Sequence, residues 1–81
     1  FPGAQALFGG QTVKIWQARP IEAEGENGTI LAIDRSILVV ACGKGALAIG
    51  ELQKAGGKRL PVQQFLAGHP LKVGDRFDLP A

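Results

Sequence analysis

The hydrophobic and polar positions along the chain predict a small protein built mainly of β-strands. Residues 12–21 and 29–33 mix β-branched with polar side chains, as half-buried strands do. Residues 37–42 form an almost continuous apolar run, which is typical of a strand buried on both faces. Residues 46–53 and 76–79 predict a further strand and a short closing strand. The pattern therefore predicts about five strands.

Turn residues separate these strands. Residues 1–11 predict an incoming segment with turns that ends at a Gly-Gly pair, and residues 22–28 predict a polar loop. Residues 34–36 and 43–45 are short links of the kind that join the two strands of a hairpin. Pro20 indicates an edge position or the end of the first strand, because proline cannot donate to a sheet.

Two details describe individual strand positions. Val13 and Ile15 alternate with Lys14 and Trp16, so the pairs are predicted on opposite faces of the first strand. In the fourth strand the apolar spacing slips by one residue at Gly50. Such a slip predicts a β-bulge, which bends a strand as a small barrel requires.

A short amphipathic helix is predicted at residues 61–67, with a proline in its first turn. Val62, Phe65 and Leu66 have the spacing of one apolar stripe, and Gly68 is a good C-terminal stop. We expect Phe65 and Leu66 to be buried and to close one end of the barrel.

These elements predict an all-β fold, a partly open five- to six-stranded β-barrel with one short helix, similar to the oligonucleotide/oligosaccharide-binding (OB) fold. An SH3-like barrel is the nearest alternative. The chain has 81 residues, which fits a single domain over residues 1–81. It begins with Phe1 and contains no Met, so we expect it to be a piece of a longer protein.

Charge is distributed unevenly, although the net charge is only +2. Glu22, Glu24 and Glu26 form an acidic cluster, whereas six basic and three acidic residues follow from Lys44 onward. The basic loop, residues 54–59, concentrates this positive charge. Such a loop can contact a phosphate backbone, and the alternative is an ordinary solvated surface.

Catalytic groups are scarce in this sequence. Its one histidine, His69, is interpreted as a solvated loop residue, and its one cysteine, Cys42, as an inert thiol of the core. A single cysteine excludes an intrachain disulfide and a cysteine-rich zinc site. No pair of carboxylates is placed for acid/base chemistry. The residues alone therefore indicate a binding or accessory module.

Binding chemistry is better represented. Lys14 and Trp16 share a strand face, and Lys54, Lys58 and Arg59 lie in the basic loop. An aromatic ring beside cations can stack a base while the cations hold its phosphate. The alternatives are that Trp16 only packs, for instance against a preceding domain, and that the loop cations only provide solubility.

Short motifs occur in a fixed order along nearly the whole chain: FPGA at 1–4, VKIW at 13–16, GTIL at 28–31, CGKGAL at 42–47, ELQ at 51–53, GKR at 57–59 and FLAG at 65–68. Together they resemble the C-terminal domain of the methionyl-tRNA formyltransferase family. The resemblance implies an OB-type barrel that follows a Rossmann-like N-terminal catalytic domain, absent from this chain. That domain uses 10-formyltetrahydrofolate as the formyl donor.

The resemblance also implies a basic surface for initiator methionyl-tRNA, which we assign to Lys14, Lys44, Lys54, Lys58 and Arg59. The family's catalytic residues belong to the N-terminal domain, so we expect no catalytic, cofactor or metal residue here and an inactive isolated fragment. The chain departs from the family at Leu60-Pro61, where a Ser or Thr often caps the helix.

The expected partners are initiator methionyl-tRNA and the N-terminal catalytic domain of the same chain. We expect a monomer, and the single cysteine fits a reduced cytoplasmic compartment. We expect no membrane partner, because no apolar run approaches the roughly 20 residues of a membrane span. Two alternatives are an appendage domain of a sugar-nucleotide formyltransferase and a free-standing nucleic-acid-binding OB module. The block from Leu52-Gln53 to Lys58-Arg59 favours the tRNA enzyme.

Overall fold

A computed structural model describes residues 4–78 of the chain. No helix in this range is long and apolar enough to cross a membrane. The elements in chain order are β1 Ala4–Phe8, β2 Gln11–Gly25, β3 Ile30–Ile33, β4 Leu38–Ala41, β5 Gly43–Lys54, β6 Leu60–Pro61 and the helix α1 Val62–Gly68.

The strands form one six-stranded antiparallel sheet in the order β1-β2-β5-β4-β3, and β6 pairs with β5. β2 and β5 are the longest strands, with 15 and 12 residues, and they pair along most of their length. The predicted all-β class with one short helix is confirmed. The curved sheet is consistent with the predicted partly open barrel.

The two outer strands of the sheet are joined by the segment that follows α1. Leu7 of β1 bridges Asp78, and Thr29, just before β3, bridges Arg76. The Leu7 N–H donates to the Asp78 carbonyl oxygen at 2.9 Å, and the Asp78 N–H donates to the Leu7 carbonyl oxygen at 2.7 Å. The closing strand predicted at residues 76–79 is thus present as two isolated bridges, and its last residue lies outside the described range.

Gly28 allows this closing segment to approach the preceding turn. The Phe77 N–H donates to the Gly28 carbonyl oxygen at 2.7 Å. Gly28 has φ +90°, and a Cβ there would overlap the Phe77 carbonyl oxygen. Because glycine alone accepts this backbone conformation without steric cost, the predicted Asn27-Gly28 turn also determines how the barrel closes.

The bulge predicted at Gly50 is confirmed by the register of β2 and β5. The register shifts between Gln17 and Ala18, and this shift skips Gly50 on β5. It also shifts between Ile15 and Gln17, and that shift skips Trp16 on β2. The two long strands are therefore irregular at neighbouring positions, and bulges of this kind increase the local twist.

The N-terminal half differs from the sequence-based prediction. β1 occupies Ala4–Phe8, where turns are predicted, and β2 continues through Pro20 to Gly25, across most of the predicted polar loop at residues 22–28. Since β1 pairs only with residues 11–15, β2 has β5 as its sole sheet neighbour at Pro20 within the described chain. A proline is tolerated at such an edge.

The predicted hairpin links are present, although residues 43–45 of the second link already belong to β5, which also pairs there with β2. The Asp34 carboxylate oxygen Oδ1 accepts the N–H of Ser36 at 2.8 Å and the N–H of Ile37 at 2.9 Å. These donors stabilise the ionised carboxylate and hold the pKa of Asp34 below its ordinary value. In the second link, the Cys42 N–H donates to the Gly45 carbonyl oxygen at 3.0 Å. Short links thus set the register of β3, β4 and β5.

Helix α1 packs its apolar stripe against the barrel, as predicted for Val62 and Phe65, which are buried. Leu66 is only half-buried, so its predicted burial is partly wrong. The His69 ring stacks on Phe65 with 5.0 Å between centroids, so His69 is half-buried instead of solvated. The buried core comprises Ala6, Val13, Ile15, Ile30, Leu38, Val40, Leu47, Ile49, Leu52, Val62, Phe65 and Phe77.

Candidate nucleic-acid interface

Trp16 lies on the outer face of the barrel, where the end of β5 meets the basic loop. Lys14 pairs with Gln53 across β2 and β5, so the two side chains lie on the same face of the sheet. The Trp16 indole N–H donates to the Gln53 side-chain oxygen at 2.7 Å. The Lys14 ammonium nitrogen lies 5.8 Å from the centroid of the Trp16 ring, within the range of a cation–π interaction.

The basic loop begins with a tight turn. The Gly57 N–H donates to the Lys54 carbonyl oxygen at 2.9 Å, and the Ala55 N–H donates to the Thr12 carbonyl oxygen at 3.1 Å. A Cβ at Gly57 would lie 2.9 Å from Cγ of Lys54, so a side chain there would force the exposed Lys54 side chain to shift. The Gln53 amide nitrogen donates to the Gly57 carbonyl oxygen at 2.9 Å. The loop is therefore tied to β2 and to the end of β5.

Arg59 ends the basic loop and folds back over Trp16. The guanidinium carbon lies 4.9 Å from the centroid of the Trp16 ring, and Arg59 Nε donates to Glu51 Oε1 at 2.5 Å. The side chains of Arg59 and Glu51 are 49% and 25% exposed, so water screens this pair. Arg59 is held in place and its charge is partly offset. We call Trp16, Gln53, Arg59 and Glu51 the Trp16 cluster.

Three exposed lysines lie at this end of the sheet: Lys14 beside the Trp16 ring, and Lys54 and Lys58 in the basic loop. Lys14 and Lys54 line one shallow groove together with Thr12. Within residues 4–78, both ion pairs use arginine side chains, so these lysines have no acidic partner there. The region consequently offers lysine charges without acidic partners near the Trp16 ring, over which the Arg59 guanidinium already lies.

Lys44 lies apart from the other predicted tRNA contacts. It lies near the start of β5, whereas Lys54 is the last residue of that strand. Lys44 also pairs in register with Glu24 of β2, which places opposite charges side by side. The structure therefore brings Lys14, Lys54, Lys58 and Arg59 to one end of the sheet and leaves Lys44 at the other.

The remaining reactive side chains are dispersed over the described part of the chain, where no three His, Cys, Asp or Glu residues are close enough to hold a metal ion. Cys42 is half-buried, and burial raises the pKa of its thiol. This thiol stays protonated at neutral pH, in agreement with the predicted inert role. The Nδ1 atom of His69 is buried behind the ring stack with Phe65.

Sequence reasoning did not assign a role at the site to Gln53 or Glu51, although both lie in the ELQ motif. Their signal was the alternation around Leu52, which is buried between two half-buried polar residues. Alternation predicts the face of a side chain but not its partner. The hydrogen bond from Trp16 to Gln53 spans 37 residues and required the β2–β5 register.

Comparison with known proteins assigns this chain to a family. Residues 1–70 match the family described as formyl transferase, C-terminal domain. The chain belongs to this family. The methionyl-tRNA formyltransferase of Dechloromonas aromatica (strain RCB) is 74% identical over 81 residues, which cover 100% of this chain and 26% of that protein. The methionyl-tRNA formyltransferase of Burkholderia vietnamiensis (strain G4 / LMG 22486) is 50% identical over 82 residues, 99% of this chain and 25% of that protein.

The resemblance inferred from the ordered motifs is thereby confirmed. The formyl transferase C-terminal domain described here spans about a quarter of the length of the curated relatives it matches. Its Trp16 cluster and basic loop both lie within the matched residues 1–70. The surface around Trp16 is thus part of the region that the family shares.

Proposed function

We propose that this domain binds tRNA for a parent enzyme that formylates the amino group of initiator methionyl-tRNA with 10-formyltetrahydrofolate. The names of the relatives support the substrate class, since both are methionyl-tRNA formyltransferases. The domain contributes binding and orientation, which raise the rate by placing the acceptor arm at the N-terminal catalytic domain. It acts in the cytoplasm together with that domain, and the isolated fragment is expected to be inactive.

The observation that carries the proposal is the group of exposed lysines at the end of the sheet where the Trp16 cluster and the basic loop lie. Lys14, Lys54 and Lys58 have no acidic partner within the described residues, so their charge is available to an anionic ligand. Lysine ammonium groups on a strand face and a glycine-rich turn suit phosphate oxygens better than base edges. We therefore expect contacts that hold the tRNA backbone and that carry little sequence information.

The test is a salt titration of tRNA affinity for the full-length enzyme and its Lys54→Ala/Lys58→Ala variant. Each lost phosphate contact should flatten the plot of log K against log salt by roughly 0.7 to 0.9. Initiator and elongator tRNAs should be affected alike. Arg59 is left unchanged because its removal would also disturb Trp16 and Glu51.

Lys72→Ala is the matched control, because Lys72 is also exposed but lies in a turn beside β3. This variant should keep the wild-type slope. A wild-type slope in the Lys54→Ala/Lys58→Ala variant would contradict the proposed surface. If Lys44→Ala then flattened the slope, the tRNA would bind at the opposite end of β5.

A further inference from the structure

Gln53 connects the rigid part of the barrel to the basic loop through both ends of its side-chain amide. Its oxygen accepts the Trp16 indole N–H at 2.7 Å, and its nitrogen donates to the Gly57 carbonyl oxygen at 2.9 Å. Gln53 itself is half-buried and belongs to β5, the central strand of the sheet. The amide therefore spans the gap between a strand residue and the turn of the loop.

The chemistry at the two ends explains why an amide stands at this position. The indole nitrogen of Trp16 is a donor only, and the backbone carbonyl of Gly57 is an acceptor only. A side chain between them must accept at one end and donate at the other, which an amide does. A glutamate would accept from Trp16 but would repel the Gly57 carbonyl oxygen, and an apolar side chain would leave both groups without a partner.

The loop that Gln53 holds is intrinsically flexible. Residues 56 and 57 are both glycine, and glycine loses more conformational freedom on ordering than any other residue. If the loop were disordered before binding, the tRNA would have to order it, and that cost would reduce affinity. A loop that is already ordered presents Lys54 and Lys58 without this cost.

We propose that Gln53 is a positioning residue. By bonding to both Trp16 and Gly57, it orders the basic loop before tRNA binds, so that Lys54 and Lys58 already face the phosphates. This inference rests on the proposed function. A positioning residue differs from a residue that contacts tRNA directly in how its loss changes the salt dependence of binding. Removal of a phosphate-binding lysine flattens the salt dependence, whereas loss of a positioning residue lowers affinity at every salt concentration and leaves the slope unchanged.

The experiment compares full-length enzyme carrying Gln53→Met, Trp16→Phe, or both. Methionine has a similar length but neither the donor nor the acceptor, and phenylalanine keeps a ring but lacks the indole N–H. Hydrogen exchange should accelerate at the amides of Ala55 and Gly57, which donate to the carbonyl oxygens of Thr12 in β2 and of Lys54 in the loop turn. Gln53→Met should weaken tRNA binding about tenfold with an unchanged salt slope.

The Trp16→Phe variant and a control variant on α1 test whether the effect of Gln53→Met comes from its hydrogen bonds. Trp16→Phe should weaken binding in the same direction and should add little in the Gln53→Met background, because both substitutions break one chain of hydrogen bonds. Gln63→Met is the matched control, since Gln63 is exposed on α1, and it should change neither exchange nor affinity.

The outcomes separate this inference from the proposed function. Unchanged exchange in Gln53→Met, or faster exchange with wild-type affinity, would overturn the positioning role. A flattened slope in Gln53→Met would also overturn it, because the residue would then act as a contact. If the Lys54→Ala/Lys58→Ala variant keeps the wild-type slope, the proposed phosphate surface fails, and the positioning role toward tRNA fails with it.

Discussion

The guanidinium carbon of Arg59 lies 4.9 Å from the centroid of the Trp16 ring, and the same side chain is paired with Glu51. This stack joins the last residue of the basic loop to the bulge on β2. Arg59 therefore stabilises the structure of the site and also contributes to its positive charge. The lysines at this end of the sheet are better candidates for ligand contact, since their ammonium groups have no acidic partner in residues 4–78.

Arg59→Ala should destabilise the domain by about 0.5–1 kcal/mol, because an exposed cation–π contact and a screened ion pair are lost. Trp16 is the only tryptophan of the chain, so its fluorescence reports on the site directly. Its emission should shift to the red as the ring becomes more exposed. Arg35→Ala, in the exposed β3–β4 turn, is the control, and an equal spectral shift there would refute the stack.

Phe65→Ala should lower the free energy of unfolding by about 3–5 kcal/mol, because the ring is buried under α1 and its loss leaves a cavity. Chemical denaturation measures this change. Gln64→Ala, on the exposed side of the same helix, should have a denaturation midpoint close to wild type. A wild-type midpoint for Phe65→Ala would mean that α1 does not contribute its ring to the core.

Gly28→Ala should lower the free energy of unfolding by at least about 1–3 kcal/mol, the cost of a residue forced into an unfavourable conformation. Its positive φ and the contact with the Phe77 carbonyl both oppose a side chain, and the contact adds to the cost. Gly68→Ala is the matched control, because a Cβ there meets no atom within 4 Å in the described chain. Thermal unfolding of the two variants should therefore differ, and equal midpoints would contradict the closure at Gly28.

Asp34 should make stability depend on acid pH. Its pKa is lowered in the folded state by the N–H groups of Ser36 and Ile37, so the folded protein favours the ionised form. The stabilisation is present above the ordinary value of 3.8 and is lost as the pH falls below it through the lower folded pKa.

The difference in unfolding free energy between wild type and Asp34→Ala should accordingly shrink as the pH falls below about 4. Ser36→Ala keeps the backbone N–H that Asp34 accepts, so this control should retain the pH dependence. Urea titrations at several pH values measure the difference. A difference that stays constant across this range would exclude the backbone donors as the source of the lowered pKa.

Local features of the fold followed from short-range patterns. Alternation placed Val13 and Ile15 on one strand face, which the structure buries, and a slipped spacing located the bulge at Gly50. Turn chemistry located the links at residues 34–36 and 43–45. These features depend on residues a few positions apart, whose preferences act before any distant contact forms. The order of the motifs likewise identified the family from sequence.

Other features depended on partners distant in the chain. β1 has few sequence signals of its own and exists because β2 offers it a pairing edge, and the acidic residues Glu22 and Glu24 extend β2 because β5 continues alongside. Alternation placed Trp16 on the face opposite Val13 and Ile15, but its contacts with Gln53 and Arg59 arise only when β2, β5 and the loop meet. The sequence alone determined which side chains share a strand face, since side chains alternate with a period of two. Only the tertiary structure decided which exposed charges share a surface, because strand register sets those distances.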